Sequence, residues 1–211
     1  ACLQGTLRKN FSPLYTLRVS AKGSYDDIYY TSTWGDSRYG QTEIQLNSAH
    51  DFQIKDWWKL SLAADARWDA LNSTNYHASR FTALSALASS FRTERFMATV
   101  ALEYEGAFDR DGLSRNALSP SADLRFTAFE GFDIVAFGRR AYRIPTFNEL
   151  YYVGYGNPQL APEDAWLTDL GIDFNRRVNA AWTMKLKADV FYNLLKNKII
   201  SAPTEEDPNM W

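Results

Sequence analysis

The sequence is poor in the residues on which most catalytic and metal sites depend. Cys2 is the only cysteine, which excludes an internal disulfide, and His50 and His77 are the only histidines. We expect His50 in a strand and His77 in a loop, too far apart for a paired metal site. Motifs such as G-x-S-x-G, H-E-x-x-H and C-x-x-C are absent. We therefore expect no enzymatic activity, no cofactor and no bound metal.

Long apolar runs and an excess of one charge are also missing. No stretch of about 18 apolar residues occurs, so no transmembrane helix is predicted. The net charge is −2, without the basic excess that nucleic-acid binding needs, so no nucleic-acid partner is expected. No signal peptide is visible at the N-terminus. We expect the chain to be a mature piece or an excised fragment.

Aromatic residues are abundant. Trp, Tyr and Phe make up 15% of the 211 residues, although the mean hydropathy is −0.39. Transmembrane β-barrels combine these two properties, because one face of each strand is polar and aromatic side chains gather at the membrane interfaces.

Alternation of apolar and polar residues dominates the chain and predicts strands with one apolar and one polar face. Between residues 60 and 70, for example, Leu60, Leu62 and Trp68 alternate with Ser61, Asp65 and other polar side chains. The pattern predicts about ten strands, at residues 2–10, 14–30, 39–54, 57–70, 79–92, 95–108, 119–130, 132–142, 165–175 and 180–194.

The predicted connections alternate between short and long. Short turns are expected near residues 11–13, 55–56, 93–94, 131 and 176–177, and aromatic residues flank them. Long loops are expected near residues 31–38, 71–78, 109–118, 143–164 and after 195. Short turns at one end and long loops at the other are typical of an antiparallel up-and-down transmembrane β-barrel.

The longest loop carries a specific motif. Residues 143–151 read R-I-P-T-F-N-E-L-Y, and residues 156–163 read G-N-P-Q-L-A-P-E. This pattern resembles the one found in TonB-dependent outer-membrane receptors. Residues 190–200 are similar to the strand that follows it in that family. The matching positions are Arg143, Pro145, Phe147, Asn148, Glu149, Leu150, Tyr151, Gly156, Asn157, Pro158, Leu160, Pro162 and Glu163.

The resemblance implies a receptor of the bacterial outer membrane that takes up a scarce nutrient, such as an iron–siderophore complex, cobalamin or a glycan. Such receptors are barrels of about 22 strands with a plug in the lumen, and the TonB complex acts on the plug. The implied partners are therefore outer-membrane lipid, a plug domain, TonB through that plug, and a small nutrient ligand.

The sequence departs from the complete family pattern. It has about ten strands, no plug, and an acidic C-terminal stretch where a final alternating strand is expected. We therefore expect residues 1–211 to be an internal segment of a single barrel domain, without the plug domain and the C-terminal strands.

Several aromatic side chains in the predicted loops are candidates for ligand contact, while the many carboxylates on the strands are expected to line a wet lumen. The candidates are Trp34, Tyr39, Tyr76, Tyr151, Tyr152 and Tyr155. Two alternatives remain at this point. One is a porin-like small outer-membrane barrel, and the other is a soluble β-sandwich that acts as a binding module.

Overall fold

The structure, a computed structural model, describes residues 1–33, 35–154 and 156–200. These residues form one antiparallel sheet in which ten strands follow each other in chain order, with one short helix. The elements are β1 (Cys2–Ser12), β2 (Tyr15–Tyr30), β3 (Ser37–Lys55), β4 (Trp58–Ser73), β5 (His77–Arg92), β6 (Phe96–Asp109), β7 (Ser114–Phe129), β8 (Phe132–Arg143), α1 (Phe147–Tyr151), β9 (Glu163–Arg177) and β10 (Thr183–Lys196).

The sheet has one polar and one apolar face, as the alternation predicts. Asp69 of β4 lies opposite Arg80 of β5, and Arg80 lies opposite Asp109 of β6, so these side chains share the polar face. The apolar face has large side chains in the middle of successive strands. Among them are Ile44, Leu62, Trp68, Leu87, Leu102 and Leu124.

The apolar face is exposed. Leu87 is 46% and Trp68 is 41% accessible, and the described residues form one sheet with no second sheet packed on it. A β-sandwich needs two sheets whose apolar faces pack together. The soluble sandwich alternative is therefore wrong for this part of the chain.

The two outer strands, β1 and β10, each pair with one neighbour within the described ranges. β1 pairs with β2 and β10 pairs with β9. Every residue of both outer strands is exposed. The sheet is therefore open along both edges in the part of the chain that the structure describes.

The connections divide the sheet into two ends. Residues 31–36, 74–76, 110–113 and 144–162 connect strands at one end, here called the loop end. Residues 13–14, 56–57, 93–95, 130–131 and 178–182 connect them at the other, the turn end. All ten predicted strands are present, with bounds that differ by up to five residues.

Two of the predicted long loops are wrong. Residues 74–76 form a tight turn, because the Ser73 hydroxyl accepts hydrogen bonds from the backbone N–H groups of Asn75 and Tyr76 and donates one to the Tyr76 carbonyl. β7 begins at Ser114 instead of residue 119, which leaves only residues 110–113 as a loop. The expected alternation of short and long connections therefore holds only for residues 31–36 and 144–162.

Aromatic side chains stack beside the turns at the turn end, as predicted. Tyr15 stacks on Phe52 with ring centroids 4.9 Å apart, and Phe129 stacks on Phe132 at 4.9 Å. Trp58 stacks on Phe91 at 6.1 Å. These pairs join neighbouring strands or the two strands of one hairpin, so they reinforce the pairing at this end.

The loop end contains most of the buried side chains, and these lie on the polar face. They are Leu71, Ser73, Ala78, Arg80, Thr82, Ala107, Asp109 and Ala117. Pro145 and Leu150, from the connection between β8 and β9, are also fully buried. The small core of this sheet therefore lies where that connection meets the polar face.

The same connection contains α1, the one helix among the described residues, in a stretch for which the sequence predicts only a long loop. Five residues are too few to show helical periodicity. No helix in the described ranges is long and apolar enough to cross a membrane.

Candidate functional site

The connection between β8 and β9, residues 144–162 and here called the motif loop, is organised by a capped helix. Thr146 precedes α1, and its hydroxyl accepts a hydrogen bond from the Glu149 N–H at 3.3 Å. The Glu149 carboxylate accepts one from the Thr146 N–H at 2.7 Å. This reciprocal pair is a capping box, which satisfies two of the N–H groups at the start of a helix. The T-x-x-E spacing in the motif thus has a local structural role.

Arg143 joins the start of the motif loop to its end. Its guanidinium donates to both oxygens of Glu149, at 3.0 and 3.1 Å, and to both oxygens of Glu163, at 2.8 Å each. Burial raises the pKa of Glu149, whereas the hydrogen bonds from Arg143 and Thr146 to its carboxylate lower it. The combined effect of these hydrogen bonds exceeds that of burial, so the pKa of Glu149 is lower than usual. One arginine thereby holds α1 and the first residue of β9 against the end of β8.

The G-N-P part of the motif folds the chain back over α1. The Gly156 N–H donates to the Tyr152 carbonyl at 2.7 Å, and the Asn157 N–H donates to the Glu149 carbonyl at 2.8 Å. A Cβ atom on Gly156 would lie 2.5 Å from the Tyr152 nitrogen and 2.8 Å from the Leu150 oxygen. Only glycine permits this close approach of two backbone segments.

The loop is fixed to the polar face by side chains of distant strands. Arg80 donates to the Pro145 carbonyl at 2.9 Å, and its guanidinium lies 5.1 Å from the centre of the Phe147 ring. Arg115 donates to the Pro158 carbonyl at 3.0 Å. The loop therefore reaches from β8 and β9 across to β5, β6 and β7.

Asn148 and Tyr151 make further contacts between the motif loop and the neighbouring connections. The Tyr76 hydroxyl donates to the Asn148 side-chain oxygen, and the Tyr76 and Tyr151 rings lie 6.2 Å apart. The Tyr151 hydroxyl donates to Asp111 at 2.7 Å. Three of the four connections at the loop end are thus joined.

Four of the six predicted ligand-contact residues come together here. Tyr39 and Tyr152 line the same cavity. Burial, followed by the proximity of Tyr39 and Tyr152, raises the pKa of Tyr76 to about 12. Burial and the hydrogen bond to Asp111 also raise the pKa of Tyr151. The phenols of Tyr76 and Tyr151 therefore remain neutral at physiological pH. All four tyrosines offer flat rings together with polar hydroxyls.

A cavity of about 400 Å³ opens beside this tyrosine group. Tyr30, Asp36, Tyr39, Asn75 and Tyr152 are among the residues that line it. Its volume is within the range of small-molecule pockets, and its lining combines aromatic rings with a carboxylate and an amide. The other two predicted contact residues, Trp34 and Tyr155, lie outside the described residues.

The remaining motif residues shape the loop. Asn157 makes an Asx turn, in which its side-chain oxygen accepts from the Gln159 N–H at 2.9 Å. Leu160 and Pro162 are half-buried, and Glu163 also accepts from the Ile199 N–H at 2.8 Å.

The buried charges that hold the motif loop carry no local signal in the sequence. Arg80, Asp109 and Arg115 were not candidates, because alternation assigns them only to a polar face. Which charges of that face are covered depends on the path of the motif loop.

The comparisons with known proteins agree with this architecture. The sequence model of the family described as "TonB dependent receptor-like, beta-barrel" matches residues 87–210. That range includes the whole motif loop and the strands on either side of it. No curated protein sequence matches the chain.

Solved structures share the fold. The FrpB iron transporter from Neisseria meningitidis superposes with a TM-score of 0.74 at 13% identity, over 94% of this chain and 38% of that one. The copper transporter OprC gives a TM-score of 0.75 at 16% identity, over 98% and 39%. The siderophore receptor PirA from Pseudomonas aeruginosa gives 0.66 at 20% identity, over 95% and 46%. The chain thus spans less than half the length of these proteins.

Proposed function

Because the chain belongs to the TonB-dependent receptor-like β-barrel family, we propose that it forms part of the barrel of a receptor that takes up a scarce nutrient across the bacterial outer membrane. The family consists of receptors of the outer membrane, not of enzymes. The observation that carries the proposal is the motif loop, which folds onto the polar face and brings four tyrosines together beside a cavity.

The chain is, in this proposal, an internal segment of a larger barrel. The open edges of β1 and β10 and the 38% to 46% coverage of the solved neighbours support this reading. Further strands would pair with both edges and close the barrel, as the expected total of about 22 strands requires. The plug domain would come from another part of the same protein.

The two faces of the sheet then have different partners. The apolar face contacts outer-membrane lipid, which explains why Leu87 and Trp68 are exposed. The polar face lines the lumen and meets the plug, through which the TonB complex acts. The strands have eleven to nineteen residues, so each of them reaches the 9–11 or so that a spanning strand needs.

The nutrient is proposed to bind at the loop end. Tyr39, Tyr76, Tyr151 and Tyr152, together with Trp34 and Tyr155, form the candidate contact set. Neutral phenols can stack on a flat ligand and donate hydrogen bonds to its oxygens. The cargo class is an iron–siderophore complex, cobalamin or a glycan. FrpB and OprC are described as metal transporters and PirA as a siderophore receptor, so we would test a metal complex first.

Two variants of the receptor that contains this chain test the ligand site. In the purified receptor, Tyr152→Ala should weaken cargo binding by about tenfold, which corresponds to roughly 1.4 kcal/mol. Tyr104→Ala is the matched control, because Tyr104 lies on the apolar face of β6 and is 41% exposed. Equal affinity of both variants and the unchanged receptor would exclude Tyr152 from the site.

Uptake by whole cells tests energisation and distinguishes the porin-like alternative. A TonB-dependent receptor should bind its cargo but stop importing it when an uncoupler removes the proton-motive force. Import that continues at the same rate under the uncoupler would instead indicate passive diffusion through a porin-like barrel.

A further inference from the structure

Three buried charges form one cluster on the polar face at the loop end. The Asp109 side chain is 1% exposed, and the side chains of Arg80 and Arg115 are 8% and 9% exposed. Arg80 donates to both Asp109 oxygens, at 2.6 and 3.2 Å, and Arg115 donates to one of them at 2.5 Å. We call these three residues the Asp109 cluster.

Both arginines of the Asp109 cluster use a remaining N–H group to hold the motif loop. Arg80 holds the Pro145 carbonyl, immediately before the helix cap, and Arg115 holds the Pro158 carbonyl, after the G-N turn. Tyr151 and Tyr152 lie between these two attachment points. One carboxylate therefore orients two side chains that contact opposite ends of the same loop.

Stability alone is a poor explanation for such a cluster. Moving charged side chains out of water costs free energy, and this cost offsets much of the attraction between them. Apolar side chains in the same positions therefore often stabilise a fold equally well. Fixing one arrangement among several is the better-documented use of buried charges. Here that arrangement is the position of the motif loop on β5, β6 and β7.

We propose that Asp109 is a positioning residue for the motif loop. It holds Arg80 and Arg115 in the orientations that place Pro145 and Pro158. Through them it sets the position of Tyr152, which lines the ligand cavity, and of the neighbouring Tyr151. The consequence for the cavity rests on the proposed function, whereas the attachment of the loop does not.

Hydrogen exchange in the purified full-length receptor, without cargo, tests the attachment. In Asp109→Asn, one side-chain oxygen is lost as an acceptor, and the two arginines can no longer be held together. The N–H groups of Leu150, Tyr152, Gly156 and Asn157, all hydrogen-bonded within the loop, should exchange at least about tenfold faster. Exchange in β3 and β4 should not change. If these N–H groups exchange as slowly in Asp109→Asn as in the wild-type receptor, the proposal is overturned.

Asp133 provides the matched control. It also accepts from an arginine and a second polar side chain, Arg125 and Thr127, but at the turn end. Asp133→Asn also removes one carboxylate charge paired with an arginine, in a more exposed pair that does not touch the motif loop. Loop exchange should therefore remain as in the wild-type receptor. Equal acceleration in both variants would indicate general loosening of the sheet and would also overturn the proposal.

A second variant covers the case in which Asp109→Asn does not fold. Replacing the whole cluster by apolar residues, with Arg80→Met, Asp109→Leu and Arg115→Met together, removes the buried charges without leaving any of them unpaired. This receptor should fold and insert, yet its motif loop should exchange as fast as expected for Asp109→Asn. A protected loop in this variant would show that the cluster does not position it.

Cargo affinity separates this proposal from the proposed function. If the unchanged receptor binds none of the cargo classes, the proposed function fails, while the exchange result still decides the attachment of the loop. If it does bind cargo, Asp109→Asn should bind more weakly. A mobile loop with unchanged affinity would overturn the assigned role of Asp109 at the cavity.

Discussion

Arg143 at the end of β8 donates two hydrogen bonds to Glu149 of α1, at 3.0 and 3.1 Å, and thereby ties the helix to the strand from which the motif loop leaves. The same carboxylate completes the capping box with Thr146. Glu149 is thus the residue at which the strand exit and the helix start are joined.

Glu149→Ala should loosen the motif loop without unfolding the sheet. It removes the carboxylate that caps α1 and pairs with Arg143, and loss of a helix cap costs about 1 kcal/mol. Hydrogen exchange of the Leu150 and Tyr152 N–H groups measures the effect. Glu130→Ala is the control, because Glu130 is exposed in a turn at the other end. Equal protection in both variants would contradict the role given to Glu149.

Acid should loosen the motif loop in the same way. The pKa of Glu149 is lowered in the folded loop, so its contribution is fully present above the ordinary glutamate pKa of about 4.3. That contribution is lost as the pH falls through the lower, folded value.

A spin label can be attached at exposed Gln159 through Gln159→Cys in a Cys2→Ala background. The mobility of the label should stay constant between pH 7 and 5 and increase below about pH 4. In Glu149→Gln the label should already be mobile at pH 7. A label whose mobility follows the same pH profile in both proteins would exclude Glu149 as the titrating group.

Gly156→Ala should displace the second half of the motif loop. The new Cβ would lie 2.5 Å from the Tyr152 nitrogen, which forces two backbone segments apart. We expect faster exchange at Tyr152 and Asn157 and weaker cargo binding. Gly23→Ala is the control, since a Cβ there has no atom within 4 Å. If Gly156→Ala behaves like Gly23→Ala, the close backbone approach does not exist in the receptor.

Two leucines of one strand test which face meets lipid. Leu87 and Leu84 both belong to β5, but Leu87 lies on the apolar face, while Leu84 lies on the polar face opposite Asp65 and Glu105. Leu87→Lys should destabilise the barrel in lipid by about 2–4 kcal/mol if it lies near the bilayer centre. Leu84→Lys should be tolerated, because it gains two carboxylate neighbours.

Denaturant unfolding in lipid vesicles measures both free energies. Equal losses in the two variants would mean that both faces of β5 are packed against protein. A larger loss for Leu84→Lys would reverse the assignment of the two faces.

Much of the fold follows from the sequence, because strand formation here depends on neighbouring residues. Side chains alternate between faces with a period of two, so the order of Leu60, Ser61, Leu62 and their successors fixes both the strand and its faces. The motif residues Arg143 and Glu149 were likewise recognisable, and T-x-x-E at residues 146–149 is itself a capping signal. Five residues with no apolar periodicity nevertheless left α1 unpredicted.

Only the tertiary structure determined where the motif loop lies and what holds it. Arg80 and Pro145 are 65 residues apart, and Arg115 and Pro158 are 43 apart. Their contacts depend on the register of several strands and on the path of one loop, and no local pattern encodes either. The sequence by itself therefore determined the strands, their two faces and the family motif. The Asp109 cluster, the gathered tyrosines and the cavity beside them arise only when distant strands are brought together.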